Sequence, residues 1–64
     1  MDKKLLDVGE AAQMLGLGRS KTYDLVMRGL LRSLVIGRSR RIPIRAIDEF
    51  IEGQLEEQAE RGPR

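Results

Sequence analysis

Apolar positions in the first quarter of the chain recur at helical spacing. Val8, Ala11, Ala12 and Leu15 stand at i, i+3, i+4 and i+7, while Gly9, Glu10 and Gln13 fall outside that stripe. This is the pattern of a helix with one buried face. Asp7 precedes the stripe and Glu10 follows it by three residues, the capping-box arrangement in which a side-chain oxygen accepts from a free N–H of the first turn. Gly16 closes the stripe where a left-handed residue is wanted. The spacing predicts a helix from about Val8 to Leu15. Leu5-Leu6 ahead of it is too short to decide by itself, and reads either as a short strand or as an apolar lead-in to the helix.

Gly16-Leu17-Gly18 leaves room for a three-residue turn before a second helix, predicted to start near Arg19 and stop at Gly29. Two short helices joined by such a turn form a helix-turn-helix, with the second helix offered to a groove. Its phase admits two inner faces. One is Thr22, Leu25, Val26 and Gly29, with Leu17 packing from the turn; the other is Tyr23, Val26, Met27 and Leu30. The first is preferred because it leaves Arg19, Ser20, Tyr23 and Arg28 at the surface.

Beyond Gly29 the period changes. Leu34-Val35-Ile36 reads as a strand beginning near Arg32. Gly37-Arg38-Ser39 reads as a turn and Arg40-Arg41-Ile42-Pro43 as a short return strand, ended by a proline that cannot donate to a ladder. A third helix is expected from about Arg45 to Glu57, with Ile47, Phe50, Ile51 and Leu55 at helical spacing and an acidic outer face. Gly53 weakens its interior by roughly 1 kcal/mol relative to Ala. Residues 58–64 are expected to be a disordered tail. The expected fold is mainly α with a small β-hairpin: a winged helix-turn-helix of three helices plus wing, over residues 1–57.

Composition narrows the chemistry. Sixty-four residues make one domain that buries only about 60% of its unfolded surface. The chain has no Cys and no His, which excludes disulfide staples and the usual zinc sites. Without imidazole or thiol, and with little room for a water-excluding pocket, catalysis is not expected, nor is a cofactor. No apolar run approaches the roughly eighteen residues that span a bilayer, and the N-terminal residues lack a signal-peptide core. The expectation is a cytoplasmic protein with no membrane partner.

Charge adds what periodicity lacks. Residues 19–45 hold Arg19, Lys21, Arg28, Arg32, Arg38, Arg40, Arg41 and Arg45 against Asp24, a net +7 in a chain whose total is +2. The flanking segments are acidic. Such asymmetry asks for an anionic partner, and a basic helix-turn-helix points to DNA.

The order of elements, together with Leu5-Leu6, Glu10-Ala11-Ala12, Leu15-Gly16-Leu17, Arg19-Ser20, Tyr23, Leu25-Val26, Gly29, Leu31, Ile36-Gly37-Arg38 and Arg41-Ile42-Pro43, resembles the excisionase-type, MerR-like DNA-binding domains of phages and integrative elements. The likeness covers residues 5 to about 52. Three positions depart from the family pattern. Gly18 stands where Ser commonly caps the recognition helix, Asp24 where a base is frequent, and Arg32 where Pro often precedes the wing.

The resemblance implies an excisionase, or recombination directionality factor. Such a protein binds and bends attachment-site DNA and directs an integrase toward excision, with head-to-tail self-association along the DNA. In that reading Arg19, Ser20, Lys21, Tyr23 and Arg28 of the second helix face the major groove. Arg19 takes a guanine edge or a phosphate, Lys21 a phosphate, and Tyr23 either a phosphate or the rim of the core. Arg28 has an alternative role as a cation at the helix C-terminus. On the wing, Arg38, Ser39, Arg40 and Arg41 address the adjacent minor groove, with Arg38 and Arg40 at the tip and Arg41 on a neighbouring phosphate. The rivals are a small transcription regulator of the same fold, from which the shortness of the chain and the absence of an effector domain argue away, and an adaptor whose basic face meets an acidic protein. For the acidic third helix, the plain alternative to self-association is a solvated face.

Overall fold

The computed structural model describes residues 3–62. Along the chain run β1 (Leu5–Leu6), α1 (Val8–Leu15), α2 (Arg19–Met27), β2 (Leu34–Ile36), β3 (Ser39–Pro43) and α3 (Ile44–Arg61). Three helices and a β-hairpin form a winged helix-turn-helix. Leu5-Leu6 is a strand, because it finds a partner 37 residues or so downstream: Leu5 pairs with Pro43 and Leu6 with Ile42. The sheet is antiparallel, in the order β1-β3-β2.

Helix α1 has the predicted bounds and the predicted cap. The Glu10 N–H donates to Asp7 Oδ1 at 2.8 Å, and the Asp7 N–H donates back to Glu10 Oε1 at 3.1 Å. Lys3 Nζ donates to Glu10 Oε2 at 2.7 Å. That bond raises the lysine amine above its usual range. On the carboxyl, the Lys3 hydrogen bond acts first and the Asp7 N–H second, and together they lower it.

Both helices of the motif end in the same way. Gly16, at φ 71°, donates to the Gln13 carbonyl, and Leu17 donates to that of Ala12. Gly29, at φ 78°, donates to the Val26 carbonyl, and Leu30 to that of Leu25. These are paired Schellman closures, in which a left-handed residue lets two terminal carbonyls be satisfied at once.

The core is Leu6, Ala11, Leu25, Val26, Leu31, Ile42, Ala46 and Ile47, with Val8, Leu15, Ile44 and Phe50 half-buried around it. Thr22, Leu25 and Val26 face inward on α2, which selects the preferred phase. Two side chains differ from expectation. Leu17 is 38% exposed, because the Schellman closure sets it beside the end of α1 instead of beneath α2. Leu31, unassigned by periodicity, is 1% exposed. The turn at Gly29 sends Leu30 out and Leu31 in.

Helix α3 runs from Ile44 to Arg61, starting one residue before and ending four beyond its expected limits. The tail expected from residue 58 is thus helical as far as Arg61, while Pro63 and Arg64 lie outside the described residues. Only the first half of α3 touches the body. Ile47 is 3% exposed, but Ile51 and Leu55 are 41% and 60% exposed. No helix among the described residues is long and apolar enough to cross a membrane.

Candidate nucleic-acid interface

The burial of Thr22, Leu25 and Val26 fixes which way α2 faces. Arg19, Ser20, Lys21, Tyr23 and Arg28 are all exposed. Gly18 supplies no side-chain cap to the helix. Its carbonyl instead accepts from the Thr22 N–H at 3.1 Å and from the Thr22 hydroxyl at 3.0 Å. That hydroxyl is fully buried, so its only cheap state is a satisfied one. Asp24 pairs with Arg28 one turn on, at 3.5 Å, which leaves the departure at Asp24 accounted for by a neighbour on its own helix. Both groups are exposed, so the pair contributes little to stability.

Arg19 does not extend freely from the helix. Its guanidinium lies back over Gly9 of α1, so close that a Cβ at position 9 would meet Nη2 at 2.6 Å, with Cζ and Nε each at 3.4 Å. An open hollow of about 620 Å³ borders this contact, lined by Gly9, Arg19, Ser20 and Tyr23 together with Asp7, Val8 and Arg40. The first turn of α2 and one wing arginine therefore share a single concavity.

The wing explains how Arg40 comes to be there. Its loop has two residues, Gly37 and Arg38, with Ile36 paired to Ser39, Val35 to Arg40 and Leu34 to Arg41. Gly37 has φ 63°, and among the described residues no non-glycine residue has positive φ. This fits a type II′ turn, with glycine first. The expected turn was one residue longer, and a one-residue change of register exchanges the two faces of a strand. Arg40 accordingly does not stand at the tip. It lies on the same face as Ile42, half-buried, and its Nη1 donates to Ser33 Oγ at 2.8 Å. Arg41 turns to the other face, where its Nη1 donates to the Arg40 carbonyl at 3.1 Å. Arg38 and Ser39 alone remain at the exposed tip.

Sequence reasoning missed Gly9 and Ser33 as neighbours of the basic groups. Ser33 was recoverable from the hairpin: once Val35 opposes Arg40, Ser33 is its diagonal neighbour on the same face. Nothing in the sequence signalled the Gly9–Arg19 contact, which depends on how α1 and α2 cross.

Ion pairing leaves most of the positive charge available. Arg28 is paired with Asp24, and Arg32 lies 3.8 Å from Glu49. Among the described residues, no carboxylate lies within ion-pair distance of Arg19, Lys21, Arg38, Arg40, Arg41 or Arg45.

Comparison with known proteins agrees with the geometry. A family model described as a helix-turn-helix domain matches residues 5–55. The chain is 57% identical over 49 residues to a probable excisionase of Saccharopolyspora erythraea, an alignment covering 77% of this chain and 50% of that protein. It is 44% identical over 54 residues to an excisionase of Streptomyces ambofaciens, covering 84% of this chain and 87% of that one. The chain thus spans half the length of the first relative and most of the second. No solved structure matches it. A tight two-helix motif, a glycine-tipped wing and these likenesses together place the chain in the excisionase-type helix-turn-helix family.

Proposed function

We propose that the chain binds attachment-site DNA as an excisionase, bends it, and directs an integrase toward excision while carrying out no bond chemistry itself. The observation that carries this reading is the grouping of Arg19, Ser20, Tyr23 and Arg40 around one hollow; Asp7 also lines it, but among the described residues no carboxylate lies within ion-pair distance of either arginine. In this reading the first turn of α2 enters the major groove. Arg19, Lys21 and Tyr23 engage its edge and backbone. Arg40, at the root of the wing, closes on the phosphates between the two grooves. Arg38, at the tip, reaches the minor groove, where a narrow A·T-rich segment attracts a guanidinium, and Ser39 and Arg41 hold the flanking backbone. Arg28, already paired with Asp24, serves chiefly to complement the C-terminal end of α2.

A bend of 40–90° costs on the order of 1–6 kcal/mol, more than one small module offsets easily. Several copies side by side would share that cost. The acidic outer half of α3 and a hollow at the start of α3 lined by Lys4, Arg32 and Arg45, with Glu49 as its one carboxylate, have complementary character for such head-to-tail contact.

The test is binding to a DNA fragment carrying the attachment site, followed by an excision assay with the cognate integrase. Salt-sensitive binding, a bent complex and stimulated excision are expected. Binding without any effect on excision would favour a transcription regulator of the same fold, and no binding even at low salt would favour a protein adaptor.

A further inference from the structure

Gly9 lies in the first turn of α1 with ordinary helical backbone, since its φ is not among the positive values. Neither a turn nor a left-handed conformation therefore requires glycine there. An alanine would serve the helix better, because glycine in a helix costs backbone entropy. What glycine alone permits is the approach of Arg19, whose Nη2, Cζ and Nε all come within 3.4 Å of the place a Cβ would occupy. Gly53, the glycine inside α3, has nothing within 4 Å of the same position. The contact at Gly9 is thus particular to that site.

Resting on the DNA-binding reading above, we infer that Gly9 is a positioning residue for DNA recognition: its bare backbone seats the Arg19 guanidinium, so that this flexible side chain meets DNA already oriented. Arg19 is a long chain that otherwise samples many rotamers and must give them up on binding. Seated on α1, it has surrendered much of that freedom beforehand. The seat also ties the recognition helix to α1 through a contact the apolar core does not supply. A methyl group at position 9 displaces the flexible guanidinium rather than backbone, so the fold survives the change while the arginine loses its resting place.

The experiment is a double-mutant cycle on the full chain, measuring affinity for attachment-site DNA and thermal unfolding in parallel. Gly9→Ala is expected to leave the melting temperature unchanged or raised, and to weaken DNA binding by about two- to tenfold, the range that corresponds to freeing one ordered side chain. In an Arg19→Ala background the same change is expected to have no further effect on affinity. Gly53→Ala serves as the control: it adds a helix-favouring methyl and is expected to leave affinity unaltered. If wild type binds and Gly9→Ala binds equally well, the seat is refuted while the DNA-binding reading stands. An equal loss from Gly9→Ala with and without Arg19 also refutes it, since position 9 would then act by another route. If wild type fails to bind DNA at all, the functional reading fails and the seat falls with it.

Discussion

Single side chains in this small fold carry unequal weight. Leu31 is 1% exposed and lies at the centre of the core, and replacing a buried leucine by alanine costs about 2–5 kcal/mol. A domain of this length has little more than that in hand. Leu31→Ala is therefore expected to be largely unfolded at 37 °C, as a circular-dichroism melt would reveal; a cooperative melt near that of wild type would mean that the core tolerates the cavity. Asp7 matters through one bond to the Glu10 N–H. Asp7→Ala is expected to cost about 1 kcal/mol, read from the denaturant midpoint. The Lys3–Glu10 pair adds a pH dependence whose sign follows from its shifts. The lowered Glu10 carboxyl contributes stability above the ordinary carboxylate range, and that contribution is lost as pH falls through its depressed pKa. The raised Lys3 amine contributes below the ordinary lysine range, and its share is lost as pH rises through its elevated pKa. Both are fully present near neutrality. Glu10→Gln keeps a residue able to complete the capping box but removes the titration, so its melting temperature should fall less steeply on acidification than that of wild type.

In the DNA-binding reading proposed above, the wing and α2 divide the contacts between them. Arg38 stands in a two-residue loop with no ion-pair or hydrogen-bond partner for its side chain among the described residues, while Arg40 is fixed by Ser33 at 2.8 Å. Arg38→Ala is expected to weaken DNA binding, lower the salt dependence by about one unit of slope, and reduce the bend seen by gel mobility; an unaltered bend would remove the tip from the minor groove. Ser33→Ala leaves every charge in place but frees Arg40. Its expected signature is a smaller ratio of specific to non-specific affinity, with an unfolding free energy within about 1 kcal/mol of wild type. Register is what the sequence left undecided in this element. Gly37 marked the turn, but whether Ser39 belonged to loop or strand is a one-residue question, and its answer sends Arg40 to the recognition-helix side and Arg41 away from it. Helix α1, by contrast, was legible to the residue, because its cap, its stripe and its terminating glycine all act within a few positions of one another.

The whole molecule is electrically divided. Residues 19–45 carry +7 while the total is +2, and two of the eight cations in that window are taken by Asp24 and Glu49. If about four to six phosphates are neutralised, log K should fall against log salt with a slope of roughly −4 to −5. A slope near zero would mean that the basic face is not what meets the DNA. The body is compact around one core, but α3 extends beyond it, and the principal extents of 41 × 25 × 18 Å reflect that projection. Ile51 and Leu55 sit at helical spacing with Ile47, yet only Ile47 finds a surface to pack on. Periodicity reports which side of a helix is apolar. It does not report where the neighbouring elements end.

The amino-acid order alone settled whatever depends on neighbours along the chain. The capped first helix, the three-residue turn and the charge of the central segment are all local, set by side chains reaching three or four positions or by simple summation, whereas the choice between two inner faces for α2 waited on its packing. Tertiary structure decided the rest, because each remaining feature is a meeting of distant segments. Leu5-Leu6 became a strand only by pairing with Ile42 and Pro43. Leu31 became core through the turn at Gly29, and Arg40 joined Arg19 beside one hollow through hairpin register and helix packing together. Glycine at position 9 acquires its meaning only when α2 lays an arginine across it.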